Sequence, residues 1–584
     1  LLHLLAPGWN LPTMALPPHP PLSHREAAQA EVGHTDSTPA LNGFLTGVFL
    51  LTITAVPLLQ FTRELVAIGR GETPGRTLPQ SLDVVAALQP RRAELATLVA
   101  PPAGFLAAAR GVNDRVLRDL RTYETELTER DQLRRWLVPR VRGPLAAWLQ
   151  GGNEETYIGR EGWLFYRRDL DSVTGPGFLE PRVLARRARG GDPLESPPQP
   201  NPLPALAEFH EQLAQRGITL VVLPVPVKPS IYPDQFSPLI GECHEPLRNP
   251  SFGPFLRQVA AAGIPHFDPA PLLLRARDSG PPLYLKTDTH WTPAAVTLVA
   301  DALARFLRET VPLSPPAIQY STRRIDVTNR GDLDRLLGLP PGAGGLTPET
   351  VPLPQVWAGD QPWHPDEAAE VLLLGDSFSN IYSQEALGWG TGAGLAEQLS
   401  RALGLPLDTL TRNDGGSHAT RESLAREVAR GSNRLAGKKV VIWQFASREL
   451  AVGDWRLVPW PAPSSQPGGL YTPPEGRTVR VRGVVRQAAP APRPGSVPYK
   501  DHILMLHLAD LTSPDDPAAT GREAVVLTWS LRDNVRTPAA NWRPGDRVEL
   551  RLRPWAKVAG QYEAINRTEL DDEELLLAEP AWGE

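Results

Sequence analysis

A serine that could act as a nucleophile follows a short apolar run, in the segment Gly375-Asp376-Ser377 after Val371–Leu374. A serine at a tight strand-to-helix turn projects its hydroxyl above the sheet, and backbone N–H groups of the turn can stabilise a developing oxyanion. An ordinary strand-end turn, in which Asp376 and Ser377 only cap a helix, explains the same three residues equally well. The serine therefore predicts acyl chemistry only if the chain also supplies a base.

A histidine with a carboxylate two positions before it, Asp288 and His290 in TDTHWTP, is a candidate for that base. Thr292 is a good N-cap and Pro293 a good first-turn residue, so His290 is predicted at a strand-to-helix junction. In an extended segment, positions i and i+2 point the same way, so Asp288 can fix the tautomer of His290. Serine needs such a base because its hydroxyl is a weak nucleophile unaided. The alternative is a polar pair that only caps the helix.

Metal, disulfide and nucleotide chemistry are not indicated by the sequence. The single cysteine, Cys243, cannot form an intramolecular disulfide or a Cys/His zinc site. A metal site at Asp288 and His290 lacks further histidines at suitable spacing. The glycines of Trp389–Gly394 follow no predicted strand and lack a lysine, so they do not predict a phosphate-binding loop. We expect neither a metal nor a cofactor.

The composition is that of a globular protein with more than one folded unit. The chain has 584 residues, which is too long for one ordinary core, and 41% of them are hydrophobic. Its net charge of −5 argues against nucleic acid as a partner, since nucleic-acid binding usually needs a basic face. The 64 prolines and 49 glycines predict many turns and linkers.

Residues 151–455 have the pattern of an α/β domain. Continuous apolar runs suit strands buried in a parallel sheet, and such runs occur at Ile218–Val225, Val371–Leu374 and Val440–Trp443. Helical patterns lie before and between them, at 206–216, 293–309, 383–403 and 420–435. The alternation predicts a doubly wound parallel sheet, with a ligand crevice beyond the carboxyl ends of its strands.

The N-terminal part is predicted to anchor the chain in a membrane. Residues 1–40 are predicted to be a disordered tail. Leu41–Phe61 contains no charge and is long enough to span a bilayer, although a buried core helix or a cleaved signal peptide would look similar. The flanking charges do not settle its orientation. Residues 78–150 are a predicted helical lead-in, with a surface helix at 113–136 that packs on the main domain.

The C-terminal part has a hydrophobic period of two. A linker is predicted over 456–475, and an all-β domain, an OB-like barrel or a sandwich, over 476–584. Its predicted strands are Thr478–Val485, Ile503–Leu508, Ala524–Trp529 and Arg547–Leu552. Aromatic side chains either stack on sugar rings or fill the core of such a small domain; the candidates are Trp529, Trp542, Trp555 and Tyr562.

Six segments in order resemble the alginate O-acetyltransferase family of AlgJ and AlgX. They are GREGWLFYRRDL (159–170), LPVPVKPSIYPD (223–234), TDTHWTP, RGDLDRLLGLP (330–340), LLLGDSFSN and VVIWQFASREL (440–450). The resemblance covers roughly residues 115–450, and several motifs in order are more specific than any one of them. It implies an SGNH-hydrolase-like fold for this doubly wound domain.

The resemblance also implies roles for particular residues. Ser377 matches the nucleophile, His290 the general base and Asp288 the orienting acid. Asp288 and His290 precede the serine, whereas in ordinary SGNH esterases they follow it, and this order favours the acetyltransferase branch. Oxyanion or substrate-lining roles are expected for Asn413, Gly416, Asp376, Tyr232 and Arg448, with Lys228 in a similar structural or lining position. A Gly-Gly turn with an adjacent Asn413 and a structural brace at Asp376 are the alternatives.

The implied function is O-acetylation of an exopolysaccharide or cell-wall polysaccharide through an acetyl-serine intermediate. The resemblance implies that acetyl groups come from a membrane-bound O-acyltransferase partner. It also implies that the catalytic domain lies on the extracytoplasmic, periplasmic side of a single-pass anchor. Two alternatives remain open, namely a carbohydrate acetyl-esterase with the same triad and a non-catalytic polysaccharide-binding scaffold.

Overall fold

The computed structural model describes most of the chain from residue 38 onward. The described residues are 38–70, scattered positions between 79 and 146, and 151–584 apart from 191–196, 242, 340–345, 414, 430–431, 461–469, 496, 498, 571, 573–574 and 577. Residues 1–37 of the predicted tail, most of the helical lead-in and part of the predicted linker lie outside them. The prediction of a tail up to residue 40 is wrong at its end, because Pro39 and Ala40 already lie in a helix capped by Thr38. The chain forms two compact units, Leu1–Leu137 and Val138–Glu584.

The described part of the first unit contains a long apolar helix, α1, at Pro39–Gly69. Thr38 caps its start, because the threonine hydroxyl accepts a hydrogen bond from Leu41 N at 3.3 Å. At about 1.5 Å per residue, its 31 residues exceed the roughly 30 Å of a bilayer core. By length and composition α1 is able to cross a membrane, and it contains the predicted span Leu41–Phe61. Signal sequences share these two properties.

The α/β part of the second unit is built from three sheets. Its strands are β1 (Thr156–Ile158), β2 (Leu164–Tyr166), β3 (Thr219–Val225), β4 (Tyr320–Asn329), β5 (Glu349–Ala358), β6 (Gln361–Pro362), β7 (Val371–Gly375), β8 (Asp408–Thr411) and β9 (Val440–Ala446). The central sheet is parallel, with the order β3-β9-β7-β8. It confirms the three predicted buried strands, which are β3, β7 and β9. The antiparallel sheets are β1-β2 and β4-β5-β6.

The helices of the α/β part cover the central sheet from both faces. They are α2 (Arg167–Thr174), α3 (Pro181–Ala188), α4 (Pro202–Ala214), α5 (Lys228–Ile231), α6 (Pro233–Phe236), α7 (Phe252–Ala261), α8 (Ala270–Ala276), α9 (Pro293–Thr310), α10 (Asp332–Leu337), α11 (Ser377–Asn380), α12 (Leu395–Leu403), α13 (Ala419–Ala429) and α14 (Glu449–Val452). Val221 and Leu223 of β3 pack on one face with α9 and α12. Leu220 and Val222 pack on the other face with α4 and α7, because successive strand residues point to opposite sides. The doubly wound order stays a prediction.

The helix predicted over 383–403 is wrong in its first half. Only Glu385–Leu387 is helical there, as a single 3-10 turn, and α12 begins at Leu395. Gly388, Gly390 and Gly392 lie between the two with φ of +80° to +83°. This left-handed conformation breaks a right-handed helix.

The helix predicted over 420–435 is also too long, because α13 ends at Ala429. Ser432 and Asn433 are not helical, and the Arg434 guanidinium pairs with the carboxylate of Asp408 at 2.8 Å. This pair ties the turn to the edge strand β8 instead of continuing the helix.

The antiparallel pair of β4 and β5 was not predicted from the sequence. Its ten-residue register runs from Tyr320 opposite Ala358 to Asn329 opposite Glu349. Prolines at 352 and 354 hid the strand pattern, because proline cannot donate to a ladder and is confined to edges. β6 pairs only with the end of β5, so both prolines lie on an open edge.

The C-terminal part of the second unit is a closed β-barrel. Its elements are β10 (Val479–Ala488), β11 (His502–Thr512), β12 (Ala524–Arg532), β13 (Val535–Arg536), β14 (Arg547–Pro554), helix α15 (Ala559–Tyr562), β15 (Arg567–Thr568) and β16 (Ala581–Gly583). The order β13-β12-β16-β14-β10-β11-β15 closes because β11 also pairs with β12. All four strands predicted for this part are confirmed, and of the two predicted architectures the structure forms a barrel.

The aromatic residues of the barrel fill its core. Trp582 lies in the middle of the group, with ring centroids 5.3 Å from Trp529, 6.0 Å from Trp555 and 4.6 Å from Tyr562. Trp542 is half-buried against the same apolar cluster. This packing favours the core-filling interpretation, although Trp529, Trp542 and Tyr562 are only half-buried.

A buried ionic cluster joins the barrel to the α/β part. The carboxylate of Glu569 accepts hydrogen bonds from Arg412 (3.3 Å), Arg426 (2.5 Å) and Arg567 (2.9 Å). Arg412 follows β8 and Arg426 lies on α13, whereas Glu569 follows β15 in the barrel. The cluster lines one wall of a cleft of about 390 Å³ between the two parts.

Candidate active site

The turn that carries Ser377 is fixed by the side chain before it. Asp376 caps α11 by accepting from Phe378 N at 2.9 Å. Its carboxylate also accepts from Gln444 Nε2 (2.8 Å) and Ala446 N (2.6 Å), both on the neighbouring strand β9. The predicted alternative for Asp376, a brace of the turn, agrees with these contacts.

Gly375 makes the tight turn possible. A Cβ atom at this position would lie 2.4 Å from Ser379 Oγ, which is closer than real Cβ contacts allow. Ser379 Oγ donates to Gln444 Oε1 at 2.5 Å, so the turn and β9 are joined a second time. Ser377 is consequently the first residue of a short helix at the carboxyl end of the sheet.

The loop that carries His290 is held against this turn. Trp291 Nε1 donates to the Phe378 carbonyl at 2.9 Å, and the Tyr382 hydroxyl donates to the Trp291 carbonyl at 2.7 Å. Both rings are fully buried. The two hydrogen bonds thereby fix the His290 loop next to the Ser377 turn, although the bonded residues Trp291 and Phe378 are 87 positions apart in the chain.

Ser377, His290 and Asp288 form one chain of short hydrogen bonds. The distance from His290 Nε2 to Ser377 Oγ is 2.8 Å, and that from His290 Nδ1 to Asp288 Oδ1 is 2.7 Å. Asp288 is 1% exposed, whereas Ser377 retains 7% exposure. An ionised carboxylate only accepts hydrogen bonds, so Nδ1 donates to Asp288 and Nε2 presents its lone pair to the serine. The structure therefore brings the three predicted residues together in hydrogen-bonding order.

Asp288 is stabilised as an anion by four N–H contacts. Besides His290 Nδ1, its Oδ1 accepts from His290 N at 3.1 Å, and its Oδ2 accepts from Trp389 Nε1 and Asp332 N, both at 2.9 Å. Burial raises the pKa of Asp288, but the hydrogen bond and charge of His290 outweigh burial and lower it. Burial likewise lowers the pKa of His290, and the hydrogen bond and charge of Asp288 reverse that effect and raise it.

Asp332 is a second buried carboxyl at the same place. It lies 3.9 Å from His290 Nδ1 through its Oδ2, and its Oδ1 accepts from Thr289 N at 2.7 Å. The ligand atoms of Asp288, His290 and Asp332 lie within 4.8 Å of one another, a grouping that could hold a metal ion. Their short bonds to backbone and indole N–H groups favour a hydrogen-bond network over a metal site, and the absence of a metal stays a prediction.

Asn413 and Gly416 lie in the loop after β8, beside the Ser377 turn. The Asn413 side chain accepts from Asn380 Nδ2 at 3.0 Å and donates to Gln384 Oε1 at 2.6 Å. A Cβ atom at Gly416 would lie 3.2 Å from Asp376 Oδ2. Their roles as oxyanion donors stay predictions.

The remaining predicted residues differ in their distance from the serine turn. Arg448 lies over the Phe378 ring at 5.8 Å and pairs with Asp169 at 3.1 Å, and its positive charge lowers the pKa of His290. Tyr232 and Lys228 instead make hydrogen bonds to backbone groups outside the Ser377 turn. The Tyr232 hydroxyl accepts from Leu283 N at 3.0 Å, and Lys228 Nζ donates to two backbone carbonyls, Leu164 at 2.7 Å and Lys286 at 3.1 Å.

Sequence reasoning missed three residues of this site, namely Asp332, Trp389 and Gln444. Asp332 lies in the segment RGDLDRLLGLP, which the resemblance included without giving it a role. Trp389 lies in the glycine-rich segment that was considered only for phosphate binding. Their contacts with Asp288 and Asp376 depend on tertiary packing, so spacing alone gave no signal.

The mixed α/β fold and the site geometry are those of an SGNH hydrolase-like domain. The family described as "SGNH hydrolase-like domain, acetyltransferase AlgX" matches residues 157–447 of this chain.

Curated relatives carry the name "Probable alginate O-acetylase AlgJ". The protein of that name from Pseudomonas aeruginosa is 30% identical over 243 residues, which are 39% of this chain and 56% of the relative. The one from Pseudomonas syringae pv. tomato is 26% identical over 310 residues, which are 51% of this chain and 70% of the relative. The chain thus spans little more than half the length of the first of these relatives.

Two similar solved structures are those of an AlgJ domain and of AlgX. The O-acetyltransferase domain of Pseudomonas putida AlgJ has 21% identity and a TM-score of 0.39, with 51% of this chain and 93% of that chain covered. AlgX of Pseudomonas aeruginosa has 16% identity and a TM-score of 0.34, with 68% of this chain and 90% of that chain covered.

Proposed function

We propose that this chain is a polysaccharide O-acetyltransferase that works through a Ser-His-Asp triad. Ser377 acts as nucleophile, His290 as general base and Asp288 as the group that orients the imidazole. The observation that carries this proposal is the continuous 2.7 Å and 2.8 Å hydrogen-bonded chain from Asp288 through His290 to Ser377. The names of the curated relatives support acetyl transfer as the reaction.

The first half of the proposed cycle acetylates the serine. Ser377 Oγ attacks the acetyl carbonyl carbon while His290 Nε2 takes the hydroxyl proton. The tetrahedral intermediate collapses, the bond to the donor's leaving group breaks, and His290 returns the proton to that group. Asp288 remains ionised and stabilises the imidazolium throughout.

The second half transfers the acetyl group to a sugar. A sugar hydroxyl attacks the acetyl-serine carbonyl, His290 accepts the hydroxyl proton, and collapse of the intermediate returns that proton to Ser377 Oγ. We assign the oxyanion to the Ser377 backbone N–H, with donors from Asn413 and Gly416. Transfer exceeds hydrolysis only when the bound acceptor excludes water.

The proposal extends to partners and location. The acceptor is an exopolysaccharide or cell-wall polysaccharide, and a membrane-bound O-acyltransferase delivers the acetyl group without a soluble cofactor. Helix α1 anchors the chain as a single span, with the catalytic domain on the extracytoplasmic, periplasmic side. The uncharged stretch Leu41–Phe61 within α1 supports the anchor.

An assay of the full chain in detergent tests the proposal. A chromogenic acetyl ester is supplied with and without oligosaccharides, and acetylated product and free acetate are both measured. Ser377→Ala is expected to lower turnover by about 10³-fold or more, as loss of a nucleophile usually does. Ser383→Ala is the matched control, because Ser383 lies after the end of α11 and donates to Glu397 at 2.8 Å.

The outcomes separate the candidate functions. Acetylated oligosaccharide that depends on Ser377 supports the transferase, and free acetate alone supports the acetyl-esterase. Equal turnover in wild type and Ser377→Ala would rule out the triad and favour a polysaccharide-binding scaffold.

A further inference from the structure

The segment RGDLD packs its backbone directly against the segment that contains Asp288 and His290. A Cβ atom at Gly331 would lie 2.0 Å from the Thr287 carbonyl oxygen, so glycine alone permits this approach. Gly331 N donates to Thr287 Oγ1 at 3.3 Å, and Asp334 N donates to the Thr287 carbonyl at 3.2 Å. The start of α10 is thereby fixed to the loop of the triad.

Asp332 lies at the centre of this contact and bonds to the loop in both directions. Its backbone N–H donates to Asp288 Oδ2 at 2.9 Å, and its Oδ1 accepts from Thr289 N at 2.7 Å. Its other oxygen, Oδ2, faces His290 Nδ1 at 3.9 Å. A carboxyl group that is 4% exposed therefore stands beside the imidazole N–H in addition to Asp288.

We propose that Asp332 is a positioning residue of the acetyl-transfer site, which clamps the Asp288–His290 loop and adds a second negative charge that stabilises the imidazolium. This inference rests on the proposed function, because it concerns the protonated state that His290 reaches during transfer. Asp332 touches neither Ser377 nor the reacting carbonyl in the proposed cycle, and it acts through His290.

The charges around Asp332 determine which carboxyl titrates. Burial and the negative charge of Asp288 together raise the pKa of Asp332 to about 6, against the opposing charges of His290 and of Arg335 on α10. Asp288 is ionised at lower pH, because the hydrogen bond and charge of His290 outweigh burial and lower the pKa of Asp288. Two basic side chains also interact with these groups. Lys228 after β3 interacts electrostatically with Asp332 and Asp288, and the charge of Arg448 after β9 lowers the pKa of His290. Asp332 therefore gains its charge near pH 6, while Asp288 is already ionised.

The sign of the effect on His290 follows from this order. Above about pH 6 two carboxylates face the imidazolium, so the pKa of His290 is higher than with Asp288 alone. Removing the charge of Asp332 should lower the pKa of His290 and move the acid limb of activity to lower pH. The same removal should slow turnover, because the imidazolium formed in the transition state loses a neighbouring charge.

Asp332→Asn separates charge from clamp. The asparagine side chain retains an oxygen that accepts from Thr289 N, and its backbone N–H still reaches Asp288. We expect the acid limb of kcat/KM to move down by about one pH unit and kcat to fall by about tenfold, since one pKa unit is a tenfold change in protonation. The matched control is Asp334→Asn. Asp334 is also a buried carboxylate of α10, but it pairs with Arg330 at 2.5 Å. The acid limb of kcat/KM in this variant should stay at the wild-type pH.

NMR titration of the His290 imidazole tests the inference without turnover. In the full chain carrying Ser377→Ala, adding Asp332→Asn should lower the pKa of His290 by about one unit. With Asp332 intact, the imidazole resonances should show an additional step near pH 6, the pKa that burial gives Asp332. This measurement needs no Asp332 variant and remains decisive if Asp332→Asn fails to fold.

The results are distinguishable from failure of the proposed function. Ser377-dependent transfer combined with an unmoved acid limb and a single-step His290 titration would overturn the role of Asp332. Loss of rate in Asp332→Asn with an unmoved limb would also overturn the electrostatic role of Asp332, because a disturbed loop explains that result without any effect of charge on His290. If activity does not depend on Ser377 but the pKa of His290 is shifted in Asp332→Asn, the proposed function is contradicted, whereas the effect of Asp332 on His290 remains supported.

Discussion

At the scale of single residues, the site is organised around the proton on His290 Nδ1. Asp288 Oδ1 accepts the hydrogen bond from His290 Nδ1 at 2.7 Å. The carboxylate also accepts three further N–H hydrogen bonds, from His290 N, Trp389 and Asp332. The serine hydroxyl lies on the opposite side of the ring. Orientation of the imidazole therefore depends on Asp288, whereas in the proposed cycle the reacting proton leaves and returns through Nε2.

Asp288→Asn should retain the shape of this site and lose its proton arrangement. The asparagine amide can present N–H to Nδ1, which favours the wrong imidazole tautomer and removes the charge that stabilises the imidazolium. We expect kcat to fall by about 10³–10⁴-fold with little change in KM, as such substitutions do in serine triads. Steady-state kinetics with the chromogenic acetyl ester measure both constants. A loss below about tenfold would contradict the role of Asp288.

The triad residues were predictable from sequence because their signals are local. Asp288 and His290 are two positions apart, and Ser377 follows an apolar strand directly. Asp332 and Trp389 were not predictable in the same way. They reach Asp288 from positions 44 and 101 residues away, and only the packing of α10 and of the loop before α12 brings them there.

At the scale of secondary-structure elements, close backbone contacts position the site. Gly331 has φ of −65°, which any residue can adopt, so its requirement for glycine comes from its contact with the Thr287 carbonyl. This contact sets the distance between α10 and the triad loop.

Gly331→Ala should therefore move the triad loop. The added methyl group cannot fit at 2.0 Å from a backbone oxygen, so α10 or the loop must shift. We expect a loss of about 1–3 kcal/mol in the free energy of unfolding, as overpacking usually costs. A fall in kcat of about 10²-fold should accompany it, since small displacements disturb reacting geometry.

A glycine in open space provides the control. A Cβ atom at Gly280 would meet nothing within 4 Å, so Gly280→Ala should change the free energy of unfolding by no more than about 0.5 kcal/mol. Denaturant unfolding and kinetics on both variants make the comparison. Equal stability and activity in the two would contradict the contact at Gly331.

Elements with long regular patterns were predicted well, and elements that depend on special conformations were not. β3, β7 and β9 are mostly apolar and buried, and they appear where the sequence predicts strands. The helix predicted over 383–403 fails because Gly388, Gly390 and Gly392 adopt positive φ, a property that hydrophobic spacing does not report. The prolines of β5 concealed a strand, because proline usually argues against one. They fit in β5 because they lie on the open edge of the sheet.

At the scale of the whole molecule, the barrel and the α/β part are joined through Glu569. Burial raises the pKa of Glu569, but the charges of Arg426, Arg412 and Arg567 outweigh burial and hold the pKa well below its ordinary value. Arg412 directly precedes Asn413, so the barrel also bears on the loop beside the Ser377 turn.

Glu569→Gln should destabilise the second unit. Removing one partner of a buried ionic cluster leaves uncompensated charge and costs about 3–5 kcal/mol. The depressed pKa gives the sign of the pH effect. The contribution of Glu569 is fully present above the pKa of an unfolded Glu, about 4.3, and it disappears as pH falls through the lower folded value. Thermal unfolding at neutral and acid pH should therefore separate wild type and variant only at the higher pH.

An exposed pair provides the matched control for this prediction. Glu549 pairs with Arg482 at 2.8 Å on the barrel surface, where both side chains are solvent-accessible. Glu549→Gln should leave thermal unfolding unchanged at neutral pH. Equal effects of the two substitutions would contradict the idea that the Glu569 cluster joins the two parts.

The most direct test of the central claim is to find the acetyl group on the enzyme. The full chain is incubated with an activated acetyl ester and no acceptor, quenched in acid, and mapped by peptide mass spectrometry. We expect one acetyl group on the peptide that contains Ser377, absent in Ser377→Ala and removed when an oligosaccharide acceptor is added before the quench. Turnover by the wild type with no acetyl group on Ser377, or an equal acetyl signal in Ser377→Ala, would contradict the account.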